Sequence, residues 1–336
     1  MKADNSKTSA KKETILSGIQ PTGAIHVGNL EGALRNWARL QDDYDMYICI
    51  VDWHALTAEY NDTGVLRDYV FQAAVDILAV GLDPNTCAIF VQSEVKEHAE
   101  LHLIFSMLVT VATLTRLPTY QEKKEELESY GFLGYPVLQA ADICLYNAHK
   151  VPVGKDQEKH IWLANDLAKR FNRIYGETFV LPEALFTEVP LILGSDRRKM
   201  SKSLNNDITV SATEKETEEK IRSFFTDEKK IRKGDPGNPD MCPVYMLHRV
   251  YTPDADEEIA PPCRTGELGC VDCKTRLSAN LNAELAPLRQ KRDELIGNPD
   301  YVWDVLRNGS DIARARAQRV MDKVRDNMKT SYRKRP

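Results

Sequence analysis

The run Met46-Tyr47-Ile48-Cys49-Ile50-Val51 carries apolar or aromatic side chains at every position. A strand with one wet face alternates apolar and polar residues. One that is apolar on both faces needs helices on both sides, as in a parallel sheet. The flanking sequence agrees. Upstream, Thr14-Ile15-Leu16-Ser17-Gly18-Ile19 reads as a strand, followed by a helical pattern from about Gly28 to Gln41. Downstream, a helix from about Val65 to Val80 stops at Gly81, with Pro84 just beyond. Cys87-Ala88-Ile89-Phe90-Val91 gives a third strand, then a helix from about His98 to Ala112. Parallel strands need crossover connections, normally right-handed. This order predicts an α/β fold, a Rossmann-type doubly wound parallel sheet with ligands at the carboxyl ends of its strands.

Further along, Leu138 to Tyr146 and Ile161 to Phe171 are again helical, with a short strand at Val151-Pro152-Val153. After about Asp207 the strand signals fade. Helices dominate, interrupted by a Pro-, Gly- and Cys-rich insertion between Asp235 and Lys274. The expected organisation is a flexible tail over 1–12, a catalytic domain over 13–207 and a mainly α-helical C-terminal region over 208–336. The final helix of that region is expected to pack back on the catalytic domain.

Composition narrows the function classes. The opening residues are polar and Lys-rich, without the apolar stretch of a secretory signal. No run of about 18 apolar residues suggests a membrane span. A cytoplasmic location is expected, and Cys49, Cys87 and Cys144, in or beside apolar runs, read as buried thiols. The net charge of -5 argues against a protein that coats nucleic acid indiscriminately. The end of the chain is locally basic, with Arg314, Arg316, Arg319, Lys323, Arg325 and Lys329. That stretch is either a solvated helix face or a phosphate-contacting surface.

Two segments carry chemistry. In Ser17-Gly18-Ile19-Gln20-Pro21-Thr22-Gly23-Ala24-Ile25-His26-Val27-Gly28-Asn29 the first strand turns into the first helix. A helix N-terminus offers free N–H groups to an anion, and His26 and Asn29, about one turn apart, can both face a phosphate. The stretch is neither a G-x-G-x-x-G nor a Walker loop. The second segment, Arg197-Arg198-Lys199-Met200-Ser201-Lys202-Ser203, reads as a mobile cationic loop, and its two lysines suit a polyphosphate leaving group. A third cluster, Cys242, Cys263, Cys270 and Cys273, has the spacing C-x20-C-x6-C-x2-C. Four thiolates suit tetrahedral Zn2+ or a [4Fe-4S] cluster, and a Pro/Gly-rich segment has little core of its own without metal.

The first two segments resemble the "HIGH" and "KMSKS" signatures of the class I aminoacyl-tRNA synthetases. Lys199-Met200-Ser201-Lys202-Ser203 matches letter for letter, and the first signature stands as His26-Val27-Gly28-Asn29. Gly18–Gly23, Ile50–Thr57, Phe90–Val95, Tyr135–Ile143 and Val151–Gln157 are similar to the tryptophan branch of that class, so that the resemblance runs from about Thr14 to Ser203. It implies activation of L-tryptophan by ATP with Mg2+, transfer to tRNA(Trp), and a homodimer.

The resemblance also implies roles. His26, Asn29, Lys199 and Lys202 would carry catalysis. Gln20, Thr22, Gly28, Lys123, Asp156, Met200 and Ser201 would bind ATP. His54, Tyr135, Gln139, Asp142 and Gln157 would bind the amino acid, with Tyr135 and Gln157 at its amino group or carboxylate and Asp142 accepting the indole N–H. Tyr135, Gln139 and Asp142 stand at i, i+4 and i+7, one face of a helix. Indole N–H is a donor only, so a fixed acceptor in an apolar pocket selects for it. Gln139 departs from the pattern: many tryptophan enzymes have methionine there, and the sister tyrosine enzymes have glutamine. The Gly18–Gly23 and Asp52-Trp53-His54 segments are of the tryptophan type. A subset of bacterial tryptophan enzymes carries an iron–sulfur cluster in the cysteine region, and by that resemblance Cys242, Cys263, Cys270 and Cys273 would hold [4Fe-4S], with Zn2+ the alternative.

Overall fold

The computed structural model describes residues 12–123, 129–186, 192–227, 230, 232 and 234–332, excepting the side chains of Glu59, Lys123, Asp156 and Ser203. The expected tail therefore falls outside the description up to residue 11. Five strands, β1 (Thr14–Ile19), β2 (Asp45–Ile50), β3 (Cys87–Val91), β4 (Lys150–Val153) and β5 (Glu183–Phe186), form one parallel sheet in the order β3-β2-β1-β4-β5. β1 and β2 pair along their whole length, from Thr14 opposite Asp45 to Ile19 opposite Ile50. β1 and β4 share only the Ile15–Lys150 register. The sheet thus parts between β1 and β4, where the strand order reverses and a doubly wound sheet holds its ligand.

Alternation decides what covers each face. Ile15, Ile48, Ile50, Ile89 and Val91 point to one side; Leu16, Tyr47, Cys49, Ala88 and Phe90 point to the other. On the first side lie α1 (residues 27–40), which follows β1, and α3 (Leu66–Ala79); α2 (Asp52–Glu59) follows β2 at its carboxyl end. On the second lie α4 (Glu97–Ser106), α5 (Tyr130–Leu145) and α6 (Glu158–Tyr175). The buried thiols of Cys49, Cys87 and Cys144 belong to these layers, as their apolar neighbours suggested.

Three elements depart from the sequence reading. α1 is not uniform, because Leu30–Leu34 widens into a π-helical turn. There a buried Glu31 pairs with Arg35 at 3.2 Å and accepts the Tyr251 hydroxyl at 2.7 Å. α4 ends at Ser106 rather than near Ala112, since Thr110 leaves the helix and caps a new turn at the Thr113 N–H. β5 gave no sequence signal: it has four residues, none of them buried, at the edge of the sheet.

The C-terminal region is helical, with α7 (Glu214–Arg222), α8 (Pro243–Tyr251), α9 (Cys270–Ile296) and α10 (Pro299–Asn327). α10 crosses the edge strand β3 and buries its two halves on opposite faces of the sheet. Val302, Val305 and Leu306 join the first layer, and Ala313, Ala317, Val320 and Val324 join the second. The crossing point is Gly309, where a Cβ would lie 1.9 Å from the Ile89 carbonyl oxygen. The helix thereby shields an edge otherwise open to pairing.

Much of the basic run is used in this docking. Arg314 and Arg316 donate to the carbonyls of Glu94 and Tyr146, and Arg325 pairs with Glu100. Arg319 and Lys323 remain exposed. No helix among the described residues is long and apolar enough to cross a membrane.

Gly309→Val would drive two methyl groups into a backbone carbonyl that has no room to yield. Such overpacking should cost about 3 kcal/mol or more. A fall in the denaturant midpoint checks this, and an unchanged midpoint would show that α10 does not bear on β3.

Candidate active site

The carboxyl end of β1 turns at Pro21–Gly23 and re-enters as Ile25–Val27. Two backbone hydrogen bonds zip this short stretch to residues 208–210: Val27 N–H to Ile208 O at 2.9 Å and Val210 N–H to Ile25 O at 3.0 Å. His26 then caps α1. Its Nδ1 accepts the Asn29 N–H at 3.2 Å while Asn29 Oδ1 accepts the His26 N–H at 3.2 Å. The sequence placed these two residues one turn apart, and the structure uses that turn for a reciprocal cap. With Nδ1 accepting, the ring's Nε2 keeps the proton and is the donor left for a ligand.

Burial lowers the His26 pKa from its ordinary 6.5 to about 4. Asp207 opposes the shift, and Lys202 and Lys199 add to it. The imidazole is therefore neutral near pH 7.

The lysine loop lies against this turn. Met200 is buried beside Gly28, Lys202 Nζ donates to the Thr22 carbonyl at 3.1 Å, and Asn206 Oδ1 accepts the Ser201 N–H at 2.7 Å. Asn206 also donates to Asp196 at 2.7 Å and to the Lys199 carbonyl at 3.2 Å, so one buried amide shapes the loop. It sits so close to Gly194 that a Cβ there would approach it to 2.4 Å. Gln20, Thr22, Gly28, His26, Asn29, Lys199, Met200, Ser201 and Lys202 thus belong to one neighbourhood built from two distant segments. The side chains of Lys123 and Asp156 lie outside the described residues.

Beside it a cavity of about 490 Å³ opens at the parting of β1 and β4. Gly18 and Gln20 from β1 and its turn, His54 from α2, Tyr135, Gln139 and Asp142 from α5, and Gln157 after β4 all line it. Tyr135, Gln139 and Asp142 share the helix face that their spacing implied.

Asp142 is 3% exposed and holds three donors. His98 Nδ1 lies 2.6 Å from Oδ1, His54 Nε2 lies 3.0 Å from Oδ2, and Gln92 Nε2 bridges both oxygens at 2.9 and 2.8 Å. Burial alone would raise the carboxyl pKa, but His98 and His54 against its oxygens outweigh burial and hold it well below the usual carboxylate range.

Gln92, His98, Tyr146 and His160 were not singled out from the sequence. His160 accompanies Tyr135 at 3.3 Å, Thr119 at 3.1 Å and Gln157 at 2.8 Å. Its signal was present, three residues after Gln157 on the start of a helix. Tyr146 likewise stands four residues after Asp142. Gln92 and His98 come from another strand and helix, and nothing local announced them.

The four clustered cysteines share one small cavity with Lys230, Lys274 and Tyr245. Cys242 caps α8, Cys270 opens α9 and Cys273 follows one turn later. Burial pushes the Cys273 thiol up to about 12, and the neighbouring Cys242, Cys263 and Cys270 push the same way. Thiols that raise one another in this way are a donor set that a bound cation would relieve. Among the described residues no group of three or more His, Cys, Asp or Glu is placed to hold a metal ion as it stands. Lys274 Nζ, beside this cavity, donates to the Arg222 and Phe224 carbonyls at 3.0 and 2.6 Å, and the Phe225 N–H donates to Ser195 at the foot of the lysine loop at 2.8 Å.

Comparison with known families bears on this geometry. Residues 8–286 match the model described as tRNA synthetases class I (W and Y). The chain belongs to that family. As a class I synthetase it is 45% identical to the tryptophan–tRNA ligase of Thermotoga maritima, over 95% of this chain and 99% of the relative. It is 42% identical to that of Deinococcus radiodurans, over 93% and 97%. Among solved structures, tryptophanyl-tRNA synthetase from Campylobacter jejuni complexed with ADP and tryptophan superposes with a TM-score of 0.85 at 34% identity, covering 94% of this chain and 99% of that one.

The cap geometry makes a pH prediction. The unfolded-state pKa of His26 is near 6.5 and the folded value near 4, so folding favours the neutral ring. Its contribution to stability is fully present above about pH 6.5 and is lost as pH falls toward 4. Histidine NMR should show His26 titrating near 4; a midpoint near 6.5 would contradict a buried neutral cap.

Proposed function

We propose that this synthetase activates L-tryptophan with ATP and transfers it to tRNA(Trp). The observation that carries the reading is Asp142: an ionised carboxylate fixed at the wall of a partly apolar cavity, in a chain whose extended relatives are tryptophan–tRNA ligases. An indole N–H reaching it gains a charge-assisted hydrogen bond. Phenylalanine has no donor to offer and would forgo that bond. Gln139 lines the same cavity without displacing that acceptor.

In the first step an oxygen of the tryptophan carboxylate attacks the α-phosphorus. A P–O bond forms to that oxygen, the bond to the bridging oxygen breaks, and pyrophosphate leaves with the electron pair. The 3′-terminal ribose hydroxyl of the tRNA then takes the aminoacyl group and AMP departs. The substrate supplies the nucleophile, so the protein's share is positioning and charge stabilisation. We assign the phosphate donors to His26 Nε2, Asn29, Lys199 and Lys202, with Gln20, Thr22, Gly28, Lys123, Asp156, Met200 and Ser201 forming the nucleotide's surroundings and Mg2+ accompanying its phosphates. Tyr135 and Gln157, braced by His160, are assigned to the amino and carboxylate groups, and His54 to the indole wall. Residues 13–207 are read as the catalytic domain and 208–336 as an anticodon-binding region whose last helix returns to the sheet. Leu103 and Met107, exposed one turn apart, offer an apolar surface for pairing two copies.

For Cys242, Cys263, Cys270 and Cys273 we propose a [4Fe-4S] cluster. One Zn2+ draws four thiolates to about 2.3 Å from a single point. The four cysteines line one cavity, and four thiolates are the donor set that such a cluster takes, with Zn2+ the alternative.

ATP–pyrophosphate exchange with tryptophan and tyrosine in parallel tests the central reading. Exchange with tryptophan alone is expected, and exchange with tyrosine alone would overturn it. Lys202→Ala should slow exchange about 100-fold while leaving tryptophan binding by calorimetry unchanged. Equal losses in both would remove Lys202 from its phosphate role. Protein purified without oxygen should carry iron and acid-labile sulfide, which Cys273→Ser should reduce; stoichiometric zinc in their place would replace the cluster assignment.

A further inference from the structure

We infer that Tyr146 and His98 are positioning residues for amino-acid choice: a chain of two hydrogen bonds holds the Asp142 carboxylate in the orientation in which it meets the indole N–H. The inference rests on the reading of Asp142 as the indole acceptor. An ionised carboxylate offers about four lone-pair sites. His98 and Gln92 meet Oδ1 and His54 and Gln92 meet Oδ2, so these donors set the rotation of the carboxylate that lines the cavity. The orientation of the carboxylate depends on which donors are fixed, and a histidine is a fixed donor only when its tautomer is fixed.

His98 is fully buried, stacked on the Phe90 ring with centroids 6.1 Å apart. Its Nδ1 is on Asp142 at 2.6 Å and its Nε2 is on the Tyr146 hydroxyl at 2.8 Å. Tyr146 is also fully buried, and among the described residues its hydroxyl has no other hydrogen-bond partner. A buried hydroxyl must donate or lose the cost of its desolvation, so the Tyr146 O–H donates to Nε2. Nε2 is then an acceptor, and the N–H aimed at Asp142 is on Nδ1. Without the hydroxyl, His98 is free to carry its proton on Nε2. Its Nδ1 lone pair would then face the carboxylate, which would rotate away from it and lose the orientation set for the indole N–H.

The test uses the full-length protein and two amino acids, tryptophan and 3-(benzothiophen-3-yl)alanine, in which sulfur replaces the indole N–H. Exchange kinetics are measured for wild type, Tyr146→Phe, His98→Asn and Asp142→Asn. Tyr146→Phe should raise the KM for tryptophan about 10-fold, leave kcat nearly unchanged and leave kcat/KM for the sulfur analogue unaltered. His98→Asn should shift preference in the same direction. If Asp142→Asn keeps the preference for tryptophan, the reading of the acceptor itself fails. If Asp142→Asn abolishes it while Tyr146→Phe and His98→Asn retain it, only the chain through His98 fails. Equal losses for both amino acids would mean a merely structural role and would also overturn the inference. Nitrogen-15 NMR of the wild-type histidines is a check independent of variant folding: His98 should be the Nδ1–H tautomer, and a proton on Nε2 would refute the chain.

Discussion

The two backbone hydrogen bonds between Ile25–Val27 and Ile208–Val210 are the constraint on which the site depends. Neither signature segment is a site alone. The first is a turn at the end of a strand, the second a charged loop, and four of the five strands lie between them in sequence. The four residues that form the ladder are buried, so the pairing is paid for by the same core that fills the first face of the sheet. Once it forms, Met200 is set beside Gly28 and Lys202 reaches Thr22. A further brace comes from below. The buried Asp76 of α3 accepts the Ile25 N–H and pairs with the buried Arg292 of α9, so a C-terminal helix shares in fixing the turn that ends in His26. Removing one partner of such a pair would strand a buried charge, which is strongly destabilising.

The neighbouring cavity solves a different problem. A carboxylate is useful against an indole N–H only if it stays ionised and oriented where water is scarce. Burial opposes both, and the answer is a polar layer contributed by α2, the turn after β3, α4 and α5, in which every described polar group on Asp142 is a donor. Such a network is stabilising only when complete, because a missing member leaves a buried group unpaired. On the proposed role of Asp142, amino-acid choice would draw on Gln92 and His98, which do not line the cavity.

The sequence made the sheet legible because β2 and β3 are apolar at nearly every position, a pattern only a doubly covered strand produces. It made the two signature segments legible because each is contiguous and chemically unusual. It left β5 unread, since a short exposed edge strand has no alternation to display. It left α4 too long, since a single threonine decided the break. The i, i+4, i+7 pattern of Tyr135, Gln139 and Asp142 was enough to bring three residues to one cavity. The partners of Asp142 were hidden for a general reason: Gln92 and His98 meet it only through the packing of separate elements, and a single sequence contains no record of spatial contact. The basic C-terminal run allowed two readings, and three of its arginines turned out to be spent on carbonyls and a carboxylate of the catalytic half.

The glycine crossing of α10 over β3 has a consequence for the order of events during synthesis. Residues 299–327 supply part of the cover on both faces of a sheet whose other strands all lie in the first 186 residues. Until that helix has left the ribosome, the edge strand and two apolar layers stay partly open, with the helical region already made. The nascent chain therefore holds a finished but only partly covered sheet until that helix emerges, in a form prone to pairing with a neighbouring chain. A late helix that locks both faces at once makes the emergence of residues 299–327, rather than completion of the strands, the moment at which the sheet is covered.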